Sequence, residues 1–195
     1  MACGVLVGCA APPSAPRVAV AKPSATPDYL TEKRGCAVLA GGSIGSEFAD
    51  SKVASFWHEI NKQIADHLFE ELVLSKYRVV KLTISPNDSF DTERLVIAAM
   101  SRHRCNRLIQ ISSIVNEDSQ GRFFRYDITL LRAEPKGVRA PGATGTNIVT
   151  VGEYTRAYRY PRTDATFKSF YTGTFASTVF SDLTASGAVD PLKLE

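Results

Sequence analysis

No stretch of this sequence approaches the roughly 18 consecutive apolar residues that a membrane-spanning helix needs, so we expect no transmembrane helix in the mature chain. Histidine is scarce, with three residues among 195, and none of the four cysteines has the spacing of a zinc site. The formal net charge of +3 is small, and the arginines are scattered rather than gathered in a stripe with aromatic residues. We therefore expect no metal ion, no cofactor and no nucleic-acid partner.

The amino terminus carries a recognisable targeting signal. Leu6-Val7-Gly8-Cys9 resembles the lipobox of bacterial lipoproteins, in which a diacylglyceryl group is attached to the cysteine thiol before the signal peptidase cleaves the chain. The resemblance makes Cys9 the lipidated residue and residues 1–8 part of a signal peptide. No Lys or Arg precedes Cys9, so we expect a basic region upstream of Met1. A cytosolic chain with an apolar start is the alternative.

Residues 9–30 follow the lipobox as a segment rich in Ala, Pro and Ser, with no apolar periodicity. Proline enrichment predicts an extended tether of about 3 Å per residue, which holds a domain away from a bilayer. In the enterobacterial sorting pattern, Ala10 rather than Asp after the cysteine points to the outer membrane. We expect a lipoprotein of the outer membrane that faces the periplasm.

Residues 31–187 are predicted to form one domain, followed by a tail at 188–195. A helix is expected from about Ser51 to Leu74, because its apolar residues recur at three- and four-residue spacing. The other expected elements are strands Cys36–Ala40, Tyr77–Leu82, Arg107–Val115, a fourth strand with Phe124, Tyr126, Ile128 and Leu130 on one face, and Ile148–Tyr160, with helices Asp91–His103 and Asp164–Ser186, the last stopped by Gly187.

The order β-α-β-α-β-β-β-α predicts an α/β fold with a five-stranded mixed sheet of order 2-1-3-4-5, because right-handed crossovers place the first three strands in parallel. In that order Cys36 and Cys105 begin neighbouring strands, which are about 4.8 Å apart, so a disulfide between them is expected. Two buried free thiols are the alternative, because a register error of one residue would turn the side chains to opposite faces.

The lipobox, the tether and this element order together resemble the amino-terminal domain of the TolB translocation protein and the small lipoproteins of curli secretion and penicillin-binding-protein activation. The resemblance implies a non-enzymatic accessory that binds envelope proteins, and it transfers no catalytic residue to this chain. The partners it implies are a membrane, through the lipid, and proteins of the envelope.

An enzymatic alternative rests on Gly41-Gly42-Ser43-Ile44-Gly45, which matches the G-x-S-x-G nucleophile elbow of α/β-hydrolases with Ser43 as nucleophile. The hydrolase fold needs a histidine near the end of the chain, whereas the last histidine is His103, so a simple loop is the preferred interpretation. The same glycines weakly resemble a dinucleotide loop, but Lys81-Leu82-Thr83 stands where an acidic residue would hold a ribose. We expect no nucleotide ligand.

Aromatic residues are concentrated on the last two predicted strands, at Phe123, Tyr126, Tyr154, Tyr158 and Tyr160. Most of them are expected in the core or in cross-strand pairs. If one face of the sheet is left open, it is the best candidate for a protein-docking surface.

Overall fold

The computed structural model describes residues 28–31, 35–41, 51–85, 91–135 and 148–189. The elements in chain order are a 3-10 helix Asp28–Thr31, β1 Cys36–Gly41, α1 Ser51–Leu74, β2 Val79–Thr83, α2 Thr92–His103, β3 Cys105–Asp118, β4 Gly121–Pro135, β5 Ile148–Pro161, α3 Asp164–Ser169 and α4 Thr172–Ala185. No helix within these ranges is both long enough and apolar enough to cross a bilayer.

The five strands form one mixed sheet of order β2-β1-β3-β4-β5, which confirms the predicted fold class and strand order. β1 pairs in parallel with β2 and β3, whereas β3, β4 and β5 form an antiparallel meander. All three parallel strands therefore begin at the same end of the sheet. The helices α1 and α2 return the chain to that end after β1 and β2, so the loops that follow both helices lie there.

The core is split between the two faces of the sheet. The face covered by α1 and α4, here called the α1 face, buries alternate residues of β4, as the alternation in the sequence predicts. These residues are Phe124, Tyr126, Ile128 and Leu130. The opposite face, here called the α2 face, packs against α2 and the 3-10 helix through a smaller cluster that includes Tyr29, Val38, Met100 and Leu108.

The predicted apolar stripe of α1 is buried over most of its length but not at its start. Trp57, Ile64 and Leu68 are buried on the α1 face, whereas Val53 and Phe56 are 37% and 47% exposed. The ring of Phe56 packs instead against the edges of Trp57 and Phe167. At the start of α1 the buried side chains are therefore those of Ala54 and Trp57, and the spacing of the stripe does not reveal this.

The prediction of a single last helix from Asp164 to Ser186 is wrong. The chain leaves the helical conformation at Phe170, with φ −83° and ψ 108°, and α4 begins two residues later. In a continuous helix Phe170 would point about 140° away from Phe175, and thus away from the core. The break lets the Phe170 ring stack on Tyr126, with 5.6 Å between ring centroids, and leaves Tyr171 exposed.

Strand ends also differ from the sequence-based boundaries. β3 and β4 extend beyond the apolar residues because polar partners continue the ladder: Glu117 pairs with Arg122, and their side chains form an ion pair of 2.9 Å. The turn between these strands ends at Gly121, whose φ of +105° suits glycine. Gly187, predicted as the stop of the last helix, has φ +73° directly after the cap residue Ser186.

Gly41, the last residue of β1, lies against α1 so closely that a β-carbon would overlap the side chain of Ala65. We expect Gly41→Ala to lower the free energy of unfolding by about 1–3 kcal/mol, because strand and helix would have to separate. Chemical denaturation measures this loss. In the matched control Gly152→Ala, the nearest atom to the new methyl group is Leu131 Cδ2 at 4.0 Å, and the change should stay below about 0.5 kcal/mol. Equal effects in both variants would refute the packing argument.

Candidate functional site

The structure brings together the two cysteines that were paired from the sequence. Cys36 and Cys105 form a disulfide, with 1.99 Å between the sulfur atoms and 4.3 Å between the Cα atoms. Both residues are fully buried at the end of the sheet where the parallel strands begin. The bond closes a loop with a sequence separation of 69 residues. It ties the start of β1 to the start of β3 and encloses α1, β2 and α2.

A β-bulge makes this pairing possible. Cys36 is aligned with Cys105, but Ala37 is aligned with Arg107, so Asn106 is an extra residue on β3. Without the bulge, the alternation of β3 would place Cys105 and Arg107 on the α1 face, opposite the side to which Cys36 points. The extra residue turns Cys105 onto the α2 face. Gly35 belongs to this arrangement, because a β-carbon there would overlap the side chain of Asn106.

A second bulge, in β5, creates a charged cluster that the sequence does not predict. Leu130 is aligned with Tyr154 and Leu131 with Gly152, which leaves Glu153 as the extra residue. Its carboxylate lies 3.3 Å from Arg107 Nε and 3.5 Å from Arg132 Nε. Residue spacing alone gives no sign of this cluster, because Arg107, Arg132 and Glu153 lie on three different strands and meet only through the register of the sheet.

The electrostatics of this cluster favour a charged Arg107. Burial by itself lowers the pKa of this guanidinium, but the contacts with Tyr77 and Glu153 raise it above its ordinary value. Arg107 donates to the Tyr77 hydroxyl at 3.4 Å. The neighbouring Arg132 also forms an ion pair with Glu134, with 2.6 Å between Nη2 and Oε1. Every charge in the cluster has a partner, so these contacts join β3, β4 and β5 and leave no vacant anion site.

The aromatic residues of β4 and β5 divide between the two faces of the sheet. Tyr126, Tyr158 and Tyr160 belong to or pack against the core on the α1 face, as expected for most of them, and Tyr154 packs there too. Tyr158 donates to Asp182 of α4 at 2.6 Å, and burial together with this hydrogen bond raises its pKa. Phe123 faces the α2 side, where the Arg159 guanidinium lies 4.0 Å from its ring centre. These aromatic residues therefore serve packing and strand pairing.

The other predicted site residues divide into those outside the described ranges and those that stay apart. Cys9 and Ser43 lie outside the described residues. His58 and His67 lie on α1 and His103 at the end of α2. Within the described ranges, no group of three or more His, Cys, Asp or Glu side chains could hold a metal ion.

Comparison with known proteins does not assign this chain to a family. No protein-family model matches the chain, and no curated protein matches it. One similar solved structure is a dodecamer of a PelC variant from Paraburkholderia phytofirmans. It is 10% identical over 83% of this chain and 91% of that chain, with a TM-score of 0.33. We base no inference on a similarity of this size.

Proposed function

We propose that this chain is a lipoprotein of the bacterial outer membrane, anchored by a lipid on Cys9 and facing the periplasm. Its domain is a non-catalytic accessory that binds proteins of the cell envelope. The observation that supports this localisation is the motif Leu6-Val7-Gly8-Cys9, which is followed at once by a Pro- and Ala-rich segment suited to a tether.

The disulfide between Cys36 and Cys105 supports the same localisation independently of the lipobox. Disulfides persist in oxidising compartments such as the periplasm and are rare in the cytosol. Once Cys9 carries a lipid and Cys3 has been removed with the signal peptide, these two cysteines are the pair that remains. A chain destined for the periplasm would then have no unpaired thiol.

The binding role is supported by how the described side chains are used. Among the described residues, three polar side chains are buried, those of Asn61, Asn106 and Ser113. Asn61 donates to the Ser113 hydroxyl at 2.9 Å, which joins α1 to β3. The ion pairs of Arg107 and Arg132 likewise join strands. Polar groups of this kind hold the domain together, and a rigid domain on the proposed tether suits a protein that binds partners.

Palmitate labelling tests the lipid anchor. When the chain is expressed behind a complete lipoprotein signal sequence ending at Gly8, labelled palmitate should enter the protein. Cys9→Ser should abolish the label, because it removes the thiol that receives the diacylglyceryl group, while the matched control Cys3→Ser should keep it. Several acyl chains on one residue should also retain the protein in the membrane fraction, since one chain alone binds only marginally.

Two outcomes would refute parts of this proposal. Palmitate incorporation that persists in Cys9→Ser would exclude the anchor. Labelling by a serine-directed activity probe that disappears in Ser43→Ala would replace the accessory role by the hydrolase alternative.

A further inference from the structure

Two loops at the end of the sheet where the parallel strands begin carry exposed basic side chains. Lys76 and Arg78 lie between the end of α1 and the start of β2. Arg102 and Arg104 lie at the end of α2, and all four side chains are exposed. The loops touch, because Arg78 donates to the backbone carbonyl of His103 at 3.5 Å. We call this surface of Lys76, Arg78, Arg102 and Arg104 the basic end.

The charges of the basic end are not neutralised within the described part of the chain. None of its four cations forms an ion pair with a described carboxylate, whereas other arginines of the domain do, including Arg107, Arg122 and Arg159. Arg104 stacks instead over the ring of Tyr29, 5.7 Å from its centre. Asp28 places one carboxylate on the same 3-10 helix as Tyr29. The surface therefore has a local excess of positive charge.

Exposed aliphatic side chains adjoin these cations. Val73 and Leu74, the last two residues of α1, are 48% and 80% exposed, and the amide of Lys76 donates to the Val73 carbonyl at 2.9 Å. Favourable interaction with helix carboxyl termini explains cations such as Arg102, but it does not explain an exposed leucine beside them. Aliphatic side chains beside cations are typical of surfaces that lie in the interface of an anionic bilayer.

The chain that leads back to Cys9 enters the domain at this same end. The 3-10 helix is the first described element, and its Tyr29 packs under Arg104 while Leu30 joins the cluster around Cys36 and Cys105. A tether fixed to a membrane at Cys9 thus meets the domain beside the basic end. The opposite end, where α1 begins and Phe56 is exposed, is farther from that entry point by the length of a 24-residue helix.

Although the Pro-rich tether is long enough to hold the domain away from the bilayer, we propose that the basic end rests on the surface of an anionic phospholipid bilayer, so that lipid anchor and domain contact the same membrane. This inference deepens the proposed function and rests on it for the position of the anchor. A second copy of the chain is a poorer occupant, because a twofold contact through this surface would set cations against cations. The predicted orientation points the opposite end of the domain, with Phe56 and Phe167, away from the membrane.

Vesicle binding tests the proposal with the full chain carrying Cys9→Ser, which cannot be lipidated. The protein should sediment with vesicles of phosphatidylglycerol and phosphatidylethanolamine but not with phosphatidylcholine alone, and added salt should release it. Lys76→Gln with Arg102→Gln should lower the partition coefficient by about tenfold or more, since each cation contributes several-fold near an anionic surface. Adding Leu74→Ser should lower it further.

The matched control removes the same number of charges from the other end of the domain. Arg162→Gln with Lys168→Gln changes two exposed cations and should leave the partition coefficient within about twofold of the parent. An equal loss in both pairs, no preference of the parent for anionic vesicles, or self-association in place of vesicle binding would each overturn the proposal. If a variant folds poorly, the parent still tests the proposal, because binding that added salt does not weaken would overturn it.

Failure of this proposal can be told from failure of the lipid anchor. The chain used here carries no lipid, so vesicle binding does not depend on acylation of Cys9. Palmitate labelling without vesicle binding would leave the anchor standing and exclude the basic end as a membrane contact. Vesicle binding without palmitate labelling would support the basic end as a membrane contact and exclude the lipid anchor.

Discussion

Reduction of the Cys36–Cys105 disulfide should lower the free energy of unfolding by about 4 kcal/mol, because a covalent loop with a sequence separation of 69 residues restricts the unfolded chain. For a domain of this size the melting temperature should fall by about 10–15 °C. Circular dichroism melts of the parent with and without reductant measure the change. The same loss should appear in Cys36→Ala with Cys105→Ala, which removes both sulfur atoms.

The double variant also serves as the control for reductant. Its melting temperature should not respond to reductant, whereas that of the parent should. A parent that melts at the same temperature in both conditions would show that the bond does not stabilise the domain. Alkylation without reductant, followed by mass spectrometry, gives an independent check, since two alkylated thiols at Cys36 and Cys105 in protein directed to the periplasm would exclude the bond.

Trp57→Ala should lower the free energy of unfolding by about 3–5 kcal/mol, a loss as large as that of the disulfide. The Trp57 side chain is 3% exposed and fills the space between the α1 backbone and the sheet. Its ring centroid is 5.3 Å from that of Phe124 and 6.3 Å from that of Tyr126. Truncation leaves a cavity that these rings, themselves packed against Phe167 and Phe170, cannot fill. Denaturant unfolding followed by circular dichroism measures the loss.

Phe56→Ala is the matched control for Trp57→Ala, since it removes a neighbouring aromatic ring from the same turn of α1. Phe56 is 47% exposed, so its truncation should cost about 1 kcal/mol. If both variants lost similar amounts, the ring cluster around Trp57 would not be the main contact between helix and sheet. A loss below about 1 kcal/mol in Trp57→Ala would point to the same conclusion.

The features that local periodicity encodes were predictable from the sequence. Alternation in β4 and the spacing in α1 predicted which faces are buried, and element order with crossover handedness predicted the sheet. The break at Phe170 was missed because Phe167, Tyr171 and Phe175 match a helical stripe, although the ring that reaches the core belongs to Phe170. Here tertiary packing outweighs a local pattern.

The site residues were predictable to a smaller extent. The pairing of Cys36 with Cys105 follows from strand order, but the bulge at Asn106 that turns both side chains to one face follows from no residue pattern. The Glu153 cluster and the basic end were missed for a related reason. Their members are distant in sequence and come together through bulges and loop ends rather than along one element.

The bulge at Glu153 also affects how this protein meets other copies of itself. In the part of the chain that the structure describes, β5 has 14 residues and pairs with β4 along one edge, so its other edge could template a strand from a second molecule. The extra residue interrupts the regular spacing of backbone groups near the middle of that edge. An incoming strand could match the backbone on one side of Glu153 but would lose register on the other, which limits edge-to-edge aggregation, including at the high local concentration that the proposed membrane anchor would impose.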